Sequence, residues 1–119
     1  MGGRTAYLDG VRKYYTVKEI TDNIKVIKLK EGVHNNIPFY SITPNRIYVN
    51  LDVFYTDTIK AITAYDGNRE LKYRIDFVPH KELKGMHIHT YVNGREVKVD
   101  NLNVKEKKFV EKILKEVGI

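Results

Sequence analysis

Residues 72–91, KYRIDFVPHKELKGMHIHTY, hold three of the chain's four histidines together with one arginine, one aspartate and two tyrosines. Strand parity sorts them. In KYRIDF, Tyr73, Ile75 and Phe77 share one face, and Lys72, Arg74 and Asp76 share the other. In MHIHTYV, Met86, Ile88, Thr90 and Val92 share a face opposite to His87, His89 and Tyr91. Both apolar sets must meet the core. If the two segments pair as a hairpin, Arg74, Asp76, His87, His89 and Tyr91 become neighbours on the far face.

That set suits cleavage of a phosphodiester by the 2′-hydroxyl of RNA. One imidazole, whose ordinary pKa lies near neutrality, removes the hydroxyl proton. A second protonated group serves the leaving 5′-oxygen, and Arg74 steadies the charge on the phosphorane-like transition state. Asp76 would orient a histidine tautomer, and Tyr91 would donate a hydrogen bond or stack on a base. The site requires no cofactor and no metal. Two other uses of the same residues stay open: an ordinary polar strand face that binds a protein partner, or a zinc, manganese or iron site in which His80 or Asp76 joins His87 and His89. The metal signal is the weaker, because the chain has no cysteine and no H-E-x-x-H helix.

The elements that must position this face read as helix, sheet, helix. Thr16-Val-Lys-Glu19 has the form of a capping box, and Val17, Ile20, Ile24 and Ile27 follow at helical spacing, so a basic helical region is expected within 1–31. EGVHNNIPFY reads as a loop, and His34 as a surface residue within it. Four or five strands follow between 45 and 99: NRIYVNLDVF, TIKAITAY, ELKYRIDF, MHIHTYV and REVKV. Asp66-Gly67-Asn68 and Asn93-Gly94 supply turns, and PHKELKG a longer connection. Asn103-Val-Lys-Glu106 caps a last helix over 103–117, with Val110, Ile113, Leu114 and Val117 as its apolar stripe and Gly118 as its stop. The expected fold is α+β: one antiparallel meander of four to five strands, an N-terminal helix and a C-terminal helix, in a single domain over 1–119.

Composition narrows the setting. Hydrophobic residues make up 42% and charged residues 30%, which excludes wholesale disorder. Without cysteine there is no disulfide framework, which fits a reducing compartment, and no apolar run approaches a signal peptide or a membrane span. A cytoplasmic protein is expected, in the producing or a target cell, with no membrane partner. Net charge is +6, and residues 1–30 hold seven basic side chains against three acidic ones. Arg12, Lys13, Lys25 and Lys28, with Lys72 and His80 nearer the histidines, are the candidate contacts to RNA phosphates.

Tyr65-Asp66, Arg74-Ile75-Asp76-Phe77, His80, His87-Ile-His89-Thr-Tyr91 and Leu102 through Ile113 occur in an order that resembles the toxin-like domains at the C-termini of phage minor head proteins and related bacterial polymorphic toxins. The likeness covers roughly residues 60–114 and departs in Asn103, where Thr or Ser is usual, and in the lone His80 between the strands. What the resemblance implies is a metal-independent ribonuclease of barnase, EndoU or colicin type, acting as a toxin. It implies His87, His89, Arg74 and Asp76 as carried-over site residues, and possession of a cognate immunity protein. A non-catalytic phage or mobile-element binding module on the same scaffold is the alternative.

Overall fold

Alternation with period two runs through this chain further than its helical spacings suggest. The computed structural model describes residues 14–21, 23–29, 41, 43–51, 59–77 and 86–118, and for residues 14, 15 and 29 the backbone alone. These form seven strands: β1 (Tyr14–Thr21), β2 (Ile24–Leu29), β3 (Ile47–Leu51), β4 (Ile59–Tyr65), β5 (Leu71–Asp76), β6 (His87–Val92) and β7 (Arg95–Asn101). A single helix, α1 (Val104–Val117), follows. The strands make one sheet in sequence order, β1 through β7. All neighbours are antiparallel except β2 and β3, which run parallel.

This corrects the expected architecture. The segment read as an N-terminal helix is the β1–β2 hairpin, and the sheet is mixed, with seven strands over 14–101, rather than a four- to five-stranded antiparallel meander over 45–99. Thr16, Val17, Ile20, Thr21, Ile24, Val26 and Ile27 are β-branched and lose χ1 freedom in a helix, whereas a pleated strand accommodates them. The apparent capping box of Thr16 and Glu19 lies inside β1. Two register irregularities there, between Thr16 and Lys18 and between Glu19 and Thr21, blur the alternation that would have exposed the strand. The EGVHNNIPFY loop and the PHKELKG connection lie outside the described residues.

The core is one row of side chains running across the sheet. Val26 opposes Val49, Val49 opposes Ile62, Ile62 opposes Ile75, and Ile75 opposes Ile88. All five are buried. Ile24, Leu51, Ile59, Met86 and Leu102 join the same cluster. Helix α1 lies on this face, with Val110 and Ile113 buried against the row and Phe109, Leu114 and Val117 packed beside them.

The helix is framed as its sequence requires. The Glu106 N–H donates to Asn103 Oδ1 at 2.8 Å, and the Asn103 N–H donates to Glu106 Oε1 at 2.8 Å, which satisfies two otherwise orphaned donors. Gly118, at φ 85°, closes the last turn by donating to the Leu114 carbonyl. Lys18 Nζ donates to the Glu116 carbonyl at 2.8 Å, so the far end of α1 is tied to β1.

The β6–β7 hairpin turns on Asn93 at φ 53° and Gly94 at φ 77°, the left-handed pair that a two-residue turn demands. A Cβ added at Gly94 would meet nothing within 4 Å, so substitution there strains the backbone without a clash. Gly94→Val should therefore lower unfolding free energy by about 1 kcal/mol or more, while Gly94→Asn, which tolerates the left-handed region, should cost markedly less. Urea titration of the three proteins checks this. Equal midpoints for wild type and Gly94→Val would mean that the turn does not fix the hairpin.

Candidate functional site

The register of the apolar row dictates what stands on the opposite face. There Lys25, Tyr48, Thr63, Arg74, His89 and Val99 oppose one another in sequence across β2 to β7. A second row comprises Ile27, Asn50, Ala61, Asp76, His87 and Asn101. The expected pairing of ELKYRIDF with MHIHTYV is therefore present, with Arg74 opposite His89 and Asp76 opposite His87.

Five side chains on β5, β6 and β7 form a continuous polar network. Arg74 pairs side-on with Asp76: Nη2 donates to Oδ2 at 2.9 Å, and Nε lies 2.9 Å from Oδ1 without a well-aimed hydrogen bond. His89 Nε2 reaches the same Asp76 Oδ2 at 3.1 Å. On the other side of the ring, His89 Nδ1 contacts Glu96 Oε1 at 2.7 Å. Tyr91 hydrogen-bonds to Glu96 through its phenol. Burial pushes the Tyr91 phenol above its ordinary pKa of 10.0, and the nearby carboxylates of Glu96 and Asp76 act in the same direction against Arg74. A protonated Tyr91 is thus the donor to Glu96. Both nitrogens of His89 face carboxylate oxygens, and only a doubly protonated ring donates to both.

Of the candidate catalytic residues, Arg74, Asp76, His89 and Tyr91 belong to this network. His87 does not. It stands exposed on β6, opposite Asp76 in the ladder, and makes no hydrogen bond or ion pair among the described residues.

Glu96 was not anticipated. Its signal was the Asn93-Gly94 turn: a two-residue loop sets Tyr91 opposite Glu96, and the diagonal neighbour of Glu96 on that face is His89. A bulge between Thr90 and Tyr91 then displaces the register, so that Val99, not Lys98, opposes His89.

The candidate phosphate contacts are scattered. Lys72 is exposed on β5, and Lys28 is half-buried on β2. Lys25 is 6% exposed inside the sheet, with Nζ 3.6 Å from Glu19, and is not presented to solvent. Arg12, Lys13 and His80 lie outside the described residues. Of the metal alternative, His80 lies outside the described residues, and Asp76 and Glu96 meet opposite ring nitrogens of His89 and so do not converge on one point. Among the described residues no group of three His, Asp or Glu side chains is placed to hold a metal ion.

Two cavities, of about 270 and 370 Å³, lie on the other side of the sheet, the first under α1 between Tyr73, Ile75, Ile88 and Phe109, the second beside Thr90 and Asp100. Neither includes a member of the network. Among the described residues no helix is long and apolar enough to cross a membrane. Comparison with protein-family models, with curated proteins and with solved structures finds no match for this chain.

Two measurements check this geometry. Single and double alanine substitutions of His89 and Glu96 should reveal a coupling of about 0.5–1 kcal/mol in unfolding free energy, as expected for a partly exposed charged pair. Strict additivity would mean that the 2.7 Å contact contributes nothing. At alkaline pH, burial holds the Tyr48 and Tyr73 phenols above 10.0 as well, helped at Tyr73 by Glu106 and opposed at Tyr48 by Ser41 and Arg46. The fold favours their protonated forms, so this stabilisation is intact below pH 10 and is lost as pH rises through the folded values. Tyrosinate absorbance should therefore rise together with loss of the β-sheet circular dichroism, and Tyr73→Phe should move that transition to higher pH.

Proposed function

We propose that the β5–β6–β7 face cleaves RNA by acid–base chemistry without a metal ion. The single observation that carries this reading is the β5/β6 register, which sets Arg74 against His89 and Asp76 against His87. A guanidinium, a carboxylate and two imidazoles are thereby contiguous. His87 and His89 are two residues apart on one strand face, about 7 Å, a spacing that lets them flank a phosphate. His87, exposed and unengaged, takes the 2′-hydroxyl proton. His89, held between Asp76 and Glu96, supplies positive charge and a proton on the leaving-group side. The side-on pair with Asp76 uses Nε and Nη2 of Arg74 and leaves Nη1 outside the pair, free to approach a phosphate oxygen.

The order of motifs between residues 60 and 114 supports a toxin of the phage and polymorphic-toxin kind, with RNA as substrate and an immunity protein as partner. The ribonuclease reading rests on those residues and not on the fold, because the described residues form seven strands and one helix rather than the expected four- to five-stranded meander with two helices.

A specific observation favours a second reading. Both ring nitrogens of His89 are committed to carboxylates and Arg74 is committed to Asp76, as in a network whose work is to fasten three strands together. On that reading the face binds a protein and does no chemistry.

His87→Ala decides between them. Its imidazole packs against nothing in the core, so stability should stay within about 0.5 kcal/mol of wild type. Cleavage of single-stranded RNA, measured in EDTA, should fall by roughly 10²–10⁴-fold. A wild-type protein that is folded and cuts no RNA supports the binding module. Activity lost in EDTA and restored by a divalent ion removes the metal-free mechanism.

A further inference from the structure

We propose that β7 is a self-complementary edge through which two copies of this chain pair antiparallel, centred on Val99. The inference is independent of the RNA-cleavage reading.

Among the described residues, strand β7 is an outer strand of the sheet, bonded to β6 on one side only. Every one of its residues is exposed. Such a strand offers a row of unpaired N–H and C=O groups, and folded proteins usually cover or disfavour that row. Here it carries Val97 at 57% and Val99 at 46% exposure, more apolar surface than an edge left to solvent requires.

The charges select one register. Lys98 and Asp100 lie on the α1 side of the sheet, next to Thr90 and Ile88. Their side chains are 67% and 50% exposed and already meet at 3.1 Å within the strand. A two-fold axis through Val99, perpendicular to the sheet, sets Val99 on Val99 of the second copy. It also sets Lys98 on Asp100 and Asp100 on Lys98, so four charges alternate around the axis. Centring on Lys98 instead places Lys98 on Lys98, two like charges on one face. Centring on Val97 would match Glu96 with Lys98, but the bulge puts those two on opposite faces. A shift by a single residue sets side chains of opposite faces against one another. Only the Val99 register satisfies both face and charge.

The test uses the full chain. Mass should be measured by light scattering over a range of concentration, for wild type and for the charge variants. Wild type should pass from monomer to dimer as concentration rises. Lys98→Asp and Asp100→Lys should each weaken the dimer by about tenfold or more, because each creates two like-charged pairs. The double variant carrying both reversals should recover it. Because the chain has no cysteine, Val99→Cys introduces a single thiol on the axis, where facing Cα atoms about 4.5–5.5 Å apart permit a disulfide. In the same register Val97 faces Asn101, and two Val97→Cys thiols are about 13 Å apart along the strands. Oxidation should therefore cross-link Val99→Cys and spare Val97→Cys. A wild type that stays monomeric, a dimer indifferent to the charge reversals, or equal cross-linking at both positions would each overturn the proposal.

Discussion

Everything on this molecule's polar face is placed by a contact on its apolar one. The row Val26, Val49, Ile62, Ile75 and Ile88 crosses five strands and must stay in line to bury itself under Val110 and Ile113. Side-chain period in a strand is two, so a one-residue slip at any of the four ladders would turn an isoleucine or valine to the other face. The loss of one such side chain from a core costs several kcal/mol, which fixes the register far more strongly than any of the exposed ion pairs could. Arg74 faces His89, and Asp76 faces His87, because Ile75 faces Ile88. The polar constellation is a consequence of the packing before it is anything else.

The same logic explains how much could be read from the chain. Ile75 and Ile88 each sit in the middle of a clean alternation, and from that alone the β5/β6 pairing and its shared polar face were legible. The C-terminal helix was legible too, since Asn103, Glu106 and Gly118 mark both of its ends with local chemistry. The N-terminal third was not. Val17, Ile20, Ile24 and Ile27 happen to fall at helical spacing, but Ile20 and Ile24 belong to two strands separated by a turn at Asn23. Parallel pairing of β2 with β3 is a long-range choice with no signature in either segment. At Glu96 the turn that sets it opposite Tyr91 can be seen in the residues, but the bulge that sets Val99 rather than Lys98 opposite His89 cannot.

Charge balance sets limits on what the site can do. Asp76 and Glu96 both border His89, so a phosphate approaching there meets carboxylates as well as Arg74. An imidazole with both ring nitrogens against carboxylates has neither turned toward a substrate hydroxyl. A base must be unprotonated when the substrate arrives and must reach its hydroxyl. His87 has the required freedom: across its two ladders it faces Asn101 and the Asp76 that His89 and Arg74 already occupy.

The polar face itself is divided between β4 and β5. On β2, β3 and β4 it is sealed: Lys25, Tyr48, Asn50 and Thr63 are all buried. There Asn50 Nδ2 lies 3.3 Å from the Tyr48 carbonyl, the Ala61 carbonyl and Thr63 Oγ1, while the Tyr48 and Tyr65 rings meet edge to face at 5.9 Å. On β5, β6 and β7 the same rows come out to solvent, through half-buried Arg74, Asp76 and His89 to exposed His87 and Glu96. In the sealed half water cannot replace a missing partner, so a polar group left unpaired, as Asn50 Oδ1 is, bears the full cost of burial. A group in the open half can exchange its partner for a ligand at much lower cost. On the proposed function, recognition and chemistry would therefore fall to β5–β7, where the network is exposed enough to be shared.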